Sequence, residues 1–254
     1  MHWLFHSRPR EISVVEPVPG QFPKIEGAEI AAAFYGKRIG GDLYDSIRVS
    51  PERILFCLLD VAGRRADNQT IVAAAQDTFR SRGSTLFASP DTNESDAMAE
   101  LCLELNRSIM HAAGGVRSCA AFISCYHEKL GTLCYCNAGH TPGLLRDGAG
   151  IVEIVSTGLP LGLFSHATAE APMVAMEPGA ALLLVSRGVV EGTCRGRVGE
   201  GPEFGLDRVK ENFGHDKSLS PEELCADILG AVGEFICNLP LHNDLTALAL
   251  LRAR

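Results

Sequence analysis

The sequence has no excess of basic residues and no long apolar run, and each absence narrows the range of functions. Its 254 residues include 23 Lys and Arg against 31 Asp and Glu, a formal net charge of −8. A chain of this charge lacks the basic surface with which proteins bind nucleic acid or anionic lipid. It also lacks the run of about 18 apolar residues that a membrane-spanning helix needs, and its N-terminus has no signal-peptide pattern. We therefore expect a soluble, cytoplasmic protein that binds neither nucleic acid nor a membrane.

A disulfide framework and a cysteine-based metal site are also poorly supported. The nine cysteines are an odd number and mostly lie within apolar stretches, which favours reduced, buried thiols. Cys134 and Cys136 would share one face of a strand, with His140 shortly after them. Because no second Cys/His cluster accompanies them, the sequence gives little support to a zinc site.

Length and patterning predict one large domain preceded by a short arm. Residues 1–27 are proline-rich and show little periodicity, so we predict an arm or linker there and a domain over residues 28–254. The predicted elements are strands, then two helices, a run of strands between residues 119 and 185 that we interpret as a meander, two further helices and a last strand. This grouping predicts an α+β fold with an antiparallel core flanked by helices.

Two acidic residues lie at the open end of a predicted hairpin. Residues 54–59 are apolar at every position, which predicts a strand covered on both faces, and Asp60 stands where that strand leaves the core. If this strand pairs with the one beginning at Asp42 through a turn at residues 50–53, the two carboxylates meet. Paired carboxylates bind hard cations, and the neighbouring glycines leave space for an anionic ligand. The alternative is that both are ordinary strand-end acids.

Six short motifs occur in order along the chain. They are Gly40-Gly-Asp-Leu-Tyr-Asp45, Asp60-Val-Ala-Gly63, Asn137-Ala-Gly-His-Thr-Pro142, Gly158-Leu-Pro-Leu-Gly162, Val185-Ser-Arg-Gly-Val-Val-Glu191 and Asn243-Asp-Leu-Thr246. This series resembles the SpoIIE/RsbU-like branch of the PPM (PP2C-type) protein serine/threonine phosphatases, over nearly the whole chain. The resemblance implies an α+β fold, an αββα sandwich of two antiparallel sheets flanked by helices. It also implies a hydrolase in which acids hold two Mg²⁺ or Mn²⁺ ions and a water between them attacks a phosphoserine or phosphothreonine.

The resemblance also implies roles for individual residues. Asp42 and Asp60 stand at metal positions and are the expected catalytic acids, with the Val61 carbonyl as a backbone ligand. Gly139 and His140 belong to a loop expected beside the substrate. For His140, two roles are open: it orients the substrate or donates a proton, or it makes a purely structural hydrogen bond.

The chain departs from the family pattern at several positions. Arg187 occupies the place of the third metal acid, and a guanidinium cannot ligate a cation. One hypothesis is that Arg187 forms a salt bridge to one of the two aspartates and replaces an ion; the alternative is that it turns to solvent. Asn243 stands at the fourth acid, where either its own carbonyl or the neighbouring Asp244 serves as the ligand. Arg64 and Arg65 stand where the family has a glycine as the second residue, and either crowd or bind the phosphate.

Two functions therefore stay open from the sequence. The first is a metal-dependent phosphatase, with activity weakened at Arg187 and Asn243, that acts on a phosphorylated regulatory protein such as an anti-sigma-factor antagonist. The second is a pseudophosphatase that binds a phosphoprotein or a regulator without hydrolysis. The expected cofactor is one or two Mg²⁺ or Mn²⁺ ions, or none if the arginine replaces them. Control would come from another chain or from a homodimer.

Overall fold

A computed structural model describes residues 22–35, 41–63, 65–165, 169–194, 201–215, 218–237 and 243–254. These residues form ten strands and five helices. The strands are β1 (Ala28–Tyr35), β2 (Asp42–Ser50), β3 (Arg53–Val61), β4 (Cys119–His127), β5 (Thr132–Ala138), β6 (Gly143–Arg146), β7 (Ile151–Ile154), β8 (Met173–Ala175), β9 (Ala181–Val185) and β10 (Leu245–Arg252). The helices are α1 (Arg65–Leu86), α2 (Glu94–Ala113), α3 (Arg187–Val190), α4 (Gly205–His215) and α5 (Pro221–Phe235).

Two antiparallel sheets pack face to face, and helices cover their outer faces. Within the described residues, one sheet has the strand order β1-β10-β9-β6-β7 and the other has the order β2-β3-β4-β5-β8. The helices α4 and α5 cover the first sheet, and α1 and α2 cover the second. The predicted α+β fold, an αββα sandwich, is confirmed.

Alternation along the strands decides which side chains enter the space between the sheets. In β3, Phe56 and Leu58 face the opposite sheet, whereas Leu55 and Leu59 face α1 and α2. All four side chains are fully buried, and burial of each contributes roughly 1.5–3 kcal/mol. Because Asp60 continues the alternation of Phe56 and Leu58, its side chain enters the mouth of the sandwich, between the two sheets.

The strands between residues 119 and 185 do not form one meander, and that interpretation was wrong. Strands β4, β5 and β8 belong to one sheet, whereas β6, β7 and β9 belong to the other. The chain crosses between the sheets just after β5, where Gly139 adopts a φ of +68° that favours glycine. Hydrophobic periodicity identifies strands but does not say which sheet each one joins.

The segment that precedes β1 packs on the domain where the structure describes it. Phe22 stacks on Tyr44 with ring centroids 6.1 Å apart, and Ile25 is buried in the layer between the sheets. Residues 1–21 of the predicted arm lie outside the described residues. Among the described helices, none combines the length and the apolar composition that crossing a bilayer requires.

The cysteines are free thiols, as their apolar surroundings predict. Seven of the nine are buried, and Cys194 and Cys237 are the more accessible ones. Cys134 and Cys136 belong to the layer between a sheet and its helices, whereas the His140 ring packs edge-on against Phe122 in the layer between the sheets. The two cysteines and the histidine therefore face different layers.

Candidate active site

The predicted hairpin of β2 and β3 is confirmed, and it brings two acids together. The strands pair antiparallel with Asp42 directly opposite Asp60. Gly41 makes this close approach feasible, because a Cβ at this position would lie 2.3 Å from the Val61 carbonyl oxygen. Both carboxylates therefore stand at the mouth of the sandwich.

The opposite sheet brings a third acid and two hydroxyl groups to the same place. Thr246 donates its hydroxyl proton to Asp42 Oδ2 at 2.6 Å, and the Asp42 amide N–H donates to Asp244 Oδ2 at 3.4 Å. Ser186 supports the other side, since its hydroxyl accepts the Thr246 N–H at 3.1 Å and donates to the Asp244 carbonyl at 3.3 Å. Side chains of both sheets thus meet around Asp42.

The surroundings of Asp42 and Asp60 make their ionised forms unfavourable. Burial raises the pKa of Asp42 well above its usual range, repulsion from Asp60 and Asp244 adds to the rise, and the hydrogen bond from Thr246 opposes it. Burial also raises the pKa of Asp60, and the Arg187 guanidinium partly offsets that rise. Asp244 is buried, and its Oδ1 atom has no hydrogen-bond partner among the described residues.

Arg187 stands at the rim of this acidic site. It opens the short helix α3, and its Nε lies 3.5 Å from Asp60 Oδ2 and 3.9 Å from Glu191 Oε2. Half of its side chain is exposed to solvent. Gly188 lets α3 approach the acids, because a Cβ there would lie 2.1 Å from the Asp244 carbonyl oxygen. The structure therefore places the guanidinium beside Asp60.

The three carboxylates fit a divalent cation by their chemistry, although they are not arranged around one point. Over the part of the chain that the structure describes, no three Asp, Glu, His or Cys side chains already form a metal cluster. Asp42 and Asp60 each have an oxygen engaged, with Thr246 and Arg187 respectively. The mutual repulsion of the acids and the unpartnered Oδ1 of Asp244 are what a hard cation with oxygen ligands relieves.

Two further candidate metal ligands, Val61 and Asn243, are less well placed than the three carboxylates. The Val61 carbonyl accepts a hydrogen bond from Asn68 Nδ2 at 3.1 Å, which leaves one of its two lone pairs for another donor or ion. Asn243 is half-buried and lies against α3, with its Cβ 3.1 Å from the position of a Cβ on Gly188. The buried Asp244, rather than Asn243, makes the hydrogen bond to Asp42.

Hydrogen bonds hold the loop that carries His140, which lines the same cleft as Asp60. Asn137 Oδ1 accepts the His140 amide N–H at 2.9 Å, and the Gly139 amide donates to Ser156 Oγ at 3.1 Å. A Cβ on Gly139 would lie 2.4 Å from the Pro160 ring, so the loop accepts only glycine there. His140 is buried, and burial lowers its pKa to about 4.

Several of the predicted site residues line one cleft of about 450 Å³. Asp60, Gly139, His140 and Arg187 all line it, together with Ala62, Ser118, Ala120, Thr141, Pro160, Val190, Glu191 and Glu203. Asp42 contacts Asp244 and does not line the cleft itself. Arg64 and the side chain of Arg65 lie outside the described part of the chain, so their proposed contact with phosphate stays a prediction.

Sequence reasoning missed three supporting residues. Thr246 and Ser186 lie within the quoted motifs, but only the pairing of β9 with β10 shows that they face Asp42. Asn68 lies in α1, fully buried, and its amide binds the carbonyls of Val61 and Ala62. No sequence pattern predicts that a polar residue inside a helix will form hydrogen bonds to the end of a strand.

Comparison with known proteins supports the fold and the family. The sequence is 25% identical over 183 residues to the phosphoserine phosphatase RsbP of Bacillus subtilis (strain 168), which covers 72% of this chain and 43% of RsbP. This chain therefore spans less than half the length of that relative. The fold is similar to the RsbU and RsbW domains of Rv1364c from Mycobacterium tuberculosis, with a TM-score of 0.74, 22% identity and coverage of 91% of this chain and 62% of that one.

A second structure shares the fold at lower identity. RsbX, solved in complex with magnesium, has a TM-score of 0.62 and 13% identity, covering 90% of this chain and 97% of RsbX. The family model described as "Stage II sporulation protein E (SpoIIE)" matches residues 50–253. The chain therefore belongs to the SpoIIE family and has the fold of the PPM-type serine/threonine phosphatases.

Proposed function

We propose that this protein is a divalent-cation-dependent phosphatase that hydrolyses a phosphoserine or phosphothreonine on a regulatory partner protein, with activity weakened by Arg187. The single observation that carries the proposal is the meeting of three carboxylates at the mouth of the sandwich, with Asp42 and Asp60 opposite each other and Asp244 bonded to Asp42. Such a cluster is costly without a cation. The phosphoserine phosphatase activity in the name of RsbP supports the substrate class.

The acids would hold one Mg²⁺ or Mn²⁺ ion, as the magnesium in the similarly folded RsbX supports. When bound, the ion would lower the pKa of a water molecule and neutralise charge on the phosphoryl oxygens. Thr246 fixes one oxygen of Asp42 and thereby orients the other. Arg187 brings one positive charge to the place where the family has a metal-binding acid, which accounts for one ion rather than two.

Arg187 would also take part in substrate binding. Its half-exposed guanidinium lines the cleft beside Asp60, and guanidinium groups bind phosphoryl oxygens through directed N–H donors. Three small residues, Ala62, Ser118 and Ala120, line the same cleft and leave room for a phosphorylated side chain.

A second candidate function follows from the same arginine. Because Arg187 pairs with Asp60, it already neutralises part of the site without a cation. A site neutralised in this way would bind a phosphoprotein or a regulator without hydrolysing it. This pseudophosphatase predicts neither turnover nor stabilisation by Mn²⁺.

The deciding experiment is hydrolysis of p-nitrophenyl phosphate by the purified chain in millimolar Mn²⁺. We expect turnover in the wild type and none above background in Asp60→Asn. The matched control is Asp77→Asn, which removes the same charge from an exposed position on α1 and should retain wild-type turnover. Equal rates for the wild type and Asp60→Asn would reject the phosphatase and favour the binding module.

A further inference from the structure

His140 has one ring nitrogen that is held by the protein and one that is not. Its Nδ1 lies 3.0 Å from the Thr141 hydroxyl and 3.1 Å from the Thr141 carbonyl oxygen. Its Nε2 is buried and has no hydrogen-bond partner anywhere in the described chain. Only 5% of the residue is exposed, and it lines the cleft that also contains Asp60.

The hydrogen bonds decide which nitrogen carries the proton. The Thr141 hydroxyl donates its one proton to the Val185 carbonyl, so toward Nδ1 it can only accept. The Thr141 carbonyl is also an acceptor. Both neighbours of Nδ1 therefore require an Nδ1–H, and Nε2 of the neutral ring carries a lone pair. In the resting protein, His140 cannot donate a proton from Nε2.

A buried lone pair without a donor is costly, and the cleft restricts what can supply that donor. Such a group loses its hydrogen bond to water on burial and gains none from the protein. A phosphoryl group that has lost both protons offers only oxygen lone pairs and would be repelled by Nε2. Water is the small donor that must enter a phosphatase cleft, because it is the second reactant of hydrolysis.

We propose that His140 is a catalytic residue whose Nε2 accepts a hydrogen bond from the water that attacks the phosphoryl group. The inference rests on the proposed function and specifies the step further. The water oxygen bonds to phosphorus, the bond from phosphorus to the serine or threonine oxygen breaks, and a proton of the water ends on that leaving oxygen, while His140 only accepts a hydrogen bond. Burial supports this role, because the lowered pKa of about 4 keeps the ring neutral near pH 7. Asn137 and Gly139 fix the backbone of the loop, and Thr141 fixes the ring through Nδ1, as a directed hydrogen bond at Nε2 requires.

The tautomer is tested without any turnover. In ¹⁵N NMR of the imidazole rings, assigned by comparison with His140→Gln, we expect an unprotonated Nε2 and a protonated Nδ1 from pH 6 to 8. An Nε2–H tautomer, or an imidazolium in that range, would overturn the inference. This result is independent of whether the chain is an active enzyme.

The role in catalysis is tested with two variants of different hydrogen-bonding capacity. Gln places an amide oxygen near the position of Nε2, whereas Phe keeps a planar ring without an acceptor. We expect kcat in Mn²⁺ to fall about tenfold in His140→Phe and to stay within about threefold in His140→Gln, with KM little changed in both. Thermal unfolding and circular dichroism of both variants show whether the fold is kept.

The outcomes separate this inference from the proposed function. Wild-type kcat in a folded His140→Phe overturns the inference and leaves the phosphatase standing. Equal losses in the folded Phe and Gln variants also overturn it, because they indicate packing rather than an accepted hydrogen bond. If the wild type itself shows no turnover, the proposed function fails and the inference about water fails with it.

Discussion

Asp42 and Asp45 stand three residues apart on the same strand, yet Asp45 is paired with a cation and Asp42 lies among other acids. Asp45 faces α1 and is fully paired: Arg80 donates to both of its oxygens at 2.6 and 2.7 Å, and Gln76 donates at 3.0 Å. Asp42 faces the other sheet, where its neighbours include Asp60 and Asp244. A buried acid with its own cation stabilises the fold, whereas a group of buried acids that lacks enough positive charge indicates a site for an external cation.

Removing the carboxylate of Asp42 should have the largest effect on function and little effect on stability. We expect Asp42→Asn to lower Mn²⁺-dependent kcat/KM by about 100-fold, because one of the remaining cation ligands becomes a neutral amide. In EDTA, its free energy of unfolding should not fall, because the carboxylate that is lost was desolvated and repelled by its neighbours. Activity assays and urea unfolding measure the two effects separately.

Asp45→Asn should show the reverse pattern. The substitution leaves Arg80 without its carboxylate, and hydrogen bonds to charged groups contribute roughly 1.5–3 kcal/mol. Because 54% of the Arg80 side chain is exposed and solvent screens the pair, we expect the free energy of unfolding to fall by about 1 kcal/mol. The kcat/KM per folded molecule should stay within about threefold of the wild type. Equal losses of stability in the two variants would remove the distinction between the acids.

The pH dependence of stability extends the comparison to a buried base. His140 has a pKa of about 4 in the folded chain against an ordinary value of 6.5, so the unfolded chain binds the proton first as the pH falls. The contribution of the neutral ring to the free energy of unfolding is complete above pH 6.5 and is lost as the pH falls toward 4. We expect wild type to lose about 2 kcal/mol more than His140→Gln between pH 8 and pH 5. Parallel urea-unfolding curves for the two proteins would contradict the burial of a neutral histidine.

Arg187→Asp should increase the difference in charge between the acidic site around Asp42 and the ion-paired Asp45. The change replaces the cation beside Asp60 with the acid that the family resemblance implies at this position. We expect kcat in Mn²⁺ to rise about tenfold, equivalent to about 1.4 kcal/mol in the barrier. Arg187→Met is the matched control, since it removes the charge without adding an oxygen ligand and should not give this rise. A rise of equal size in both variants would show that the positive charge, rather than the missing ligand, limits the rate.

The sequence predicted the acid pair because local rules suffice for it. A continuous apolar strand, a proline turn and an acid at the strand end specify a hairpin, and the observed register places Asp42 opposite Asp60. Each of these features depends on neighbours a few residues away.

What the sequence did not show depends on contacts between distant segments. Thr246 meets Asp42 across 204 residues, and no periodicity indicates that a threonine will donate to that carboxylate. The division of the strands between two sheets has the same origin, since alternation in β5 and β6 looks alike in either sheet. The one-turn helix α3 was also not predicted, because four residues are too few for a helical pattern.

The acids around Asp42 are proposed to hold one divalent cation. Isothermal titration of the purified chain with Mn²⁺, in parallel with Asp42→Asn, tests this proposal most directly. We expect one ion per chain in the wild type and a loss of that binding in the variant. Absence of binding in the wild type, or identical binding in both proteins, would show that these acids do not hold the cation.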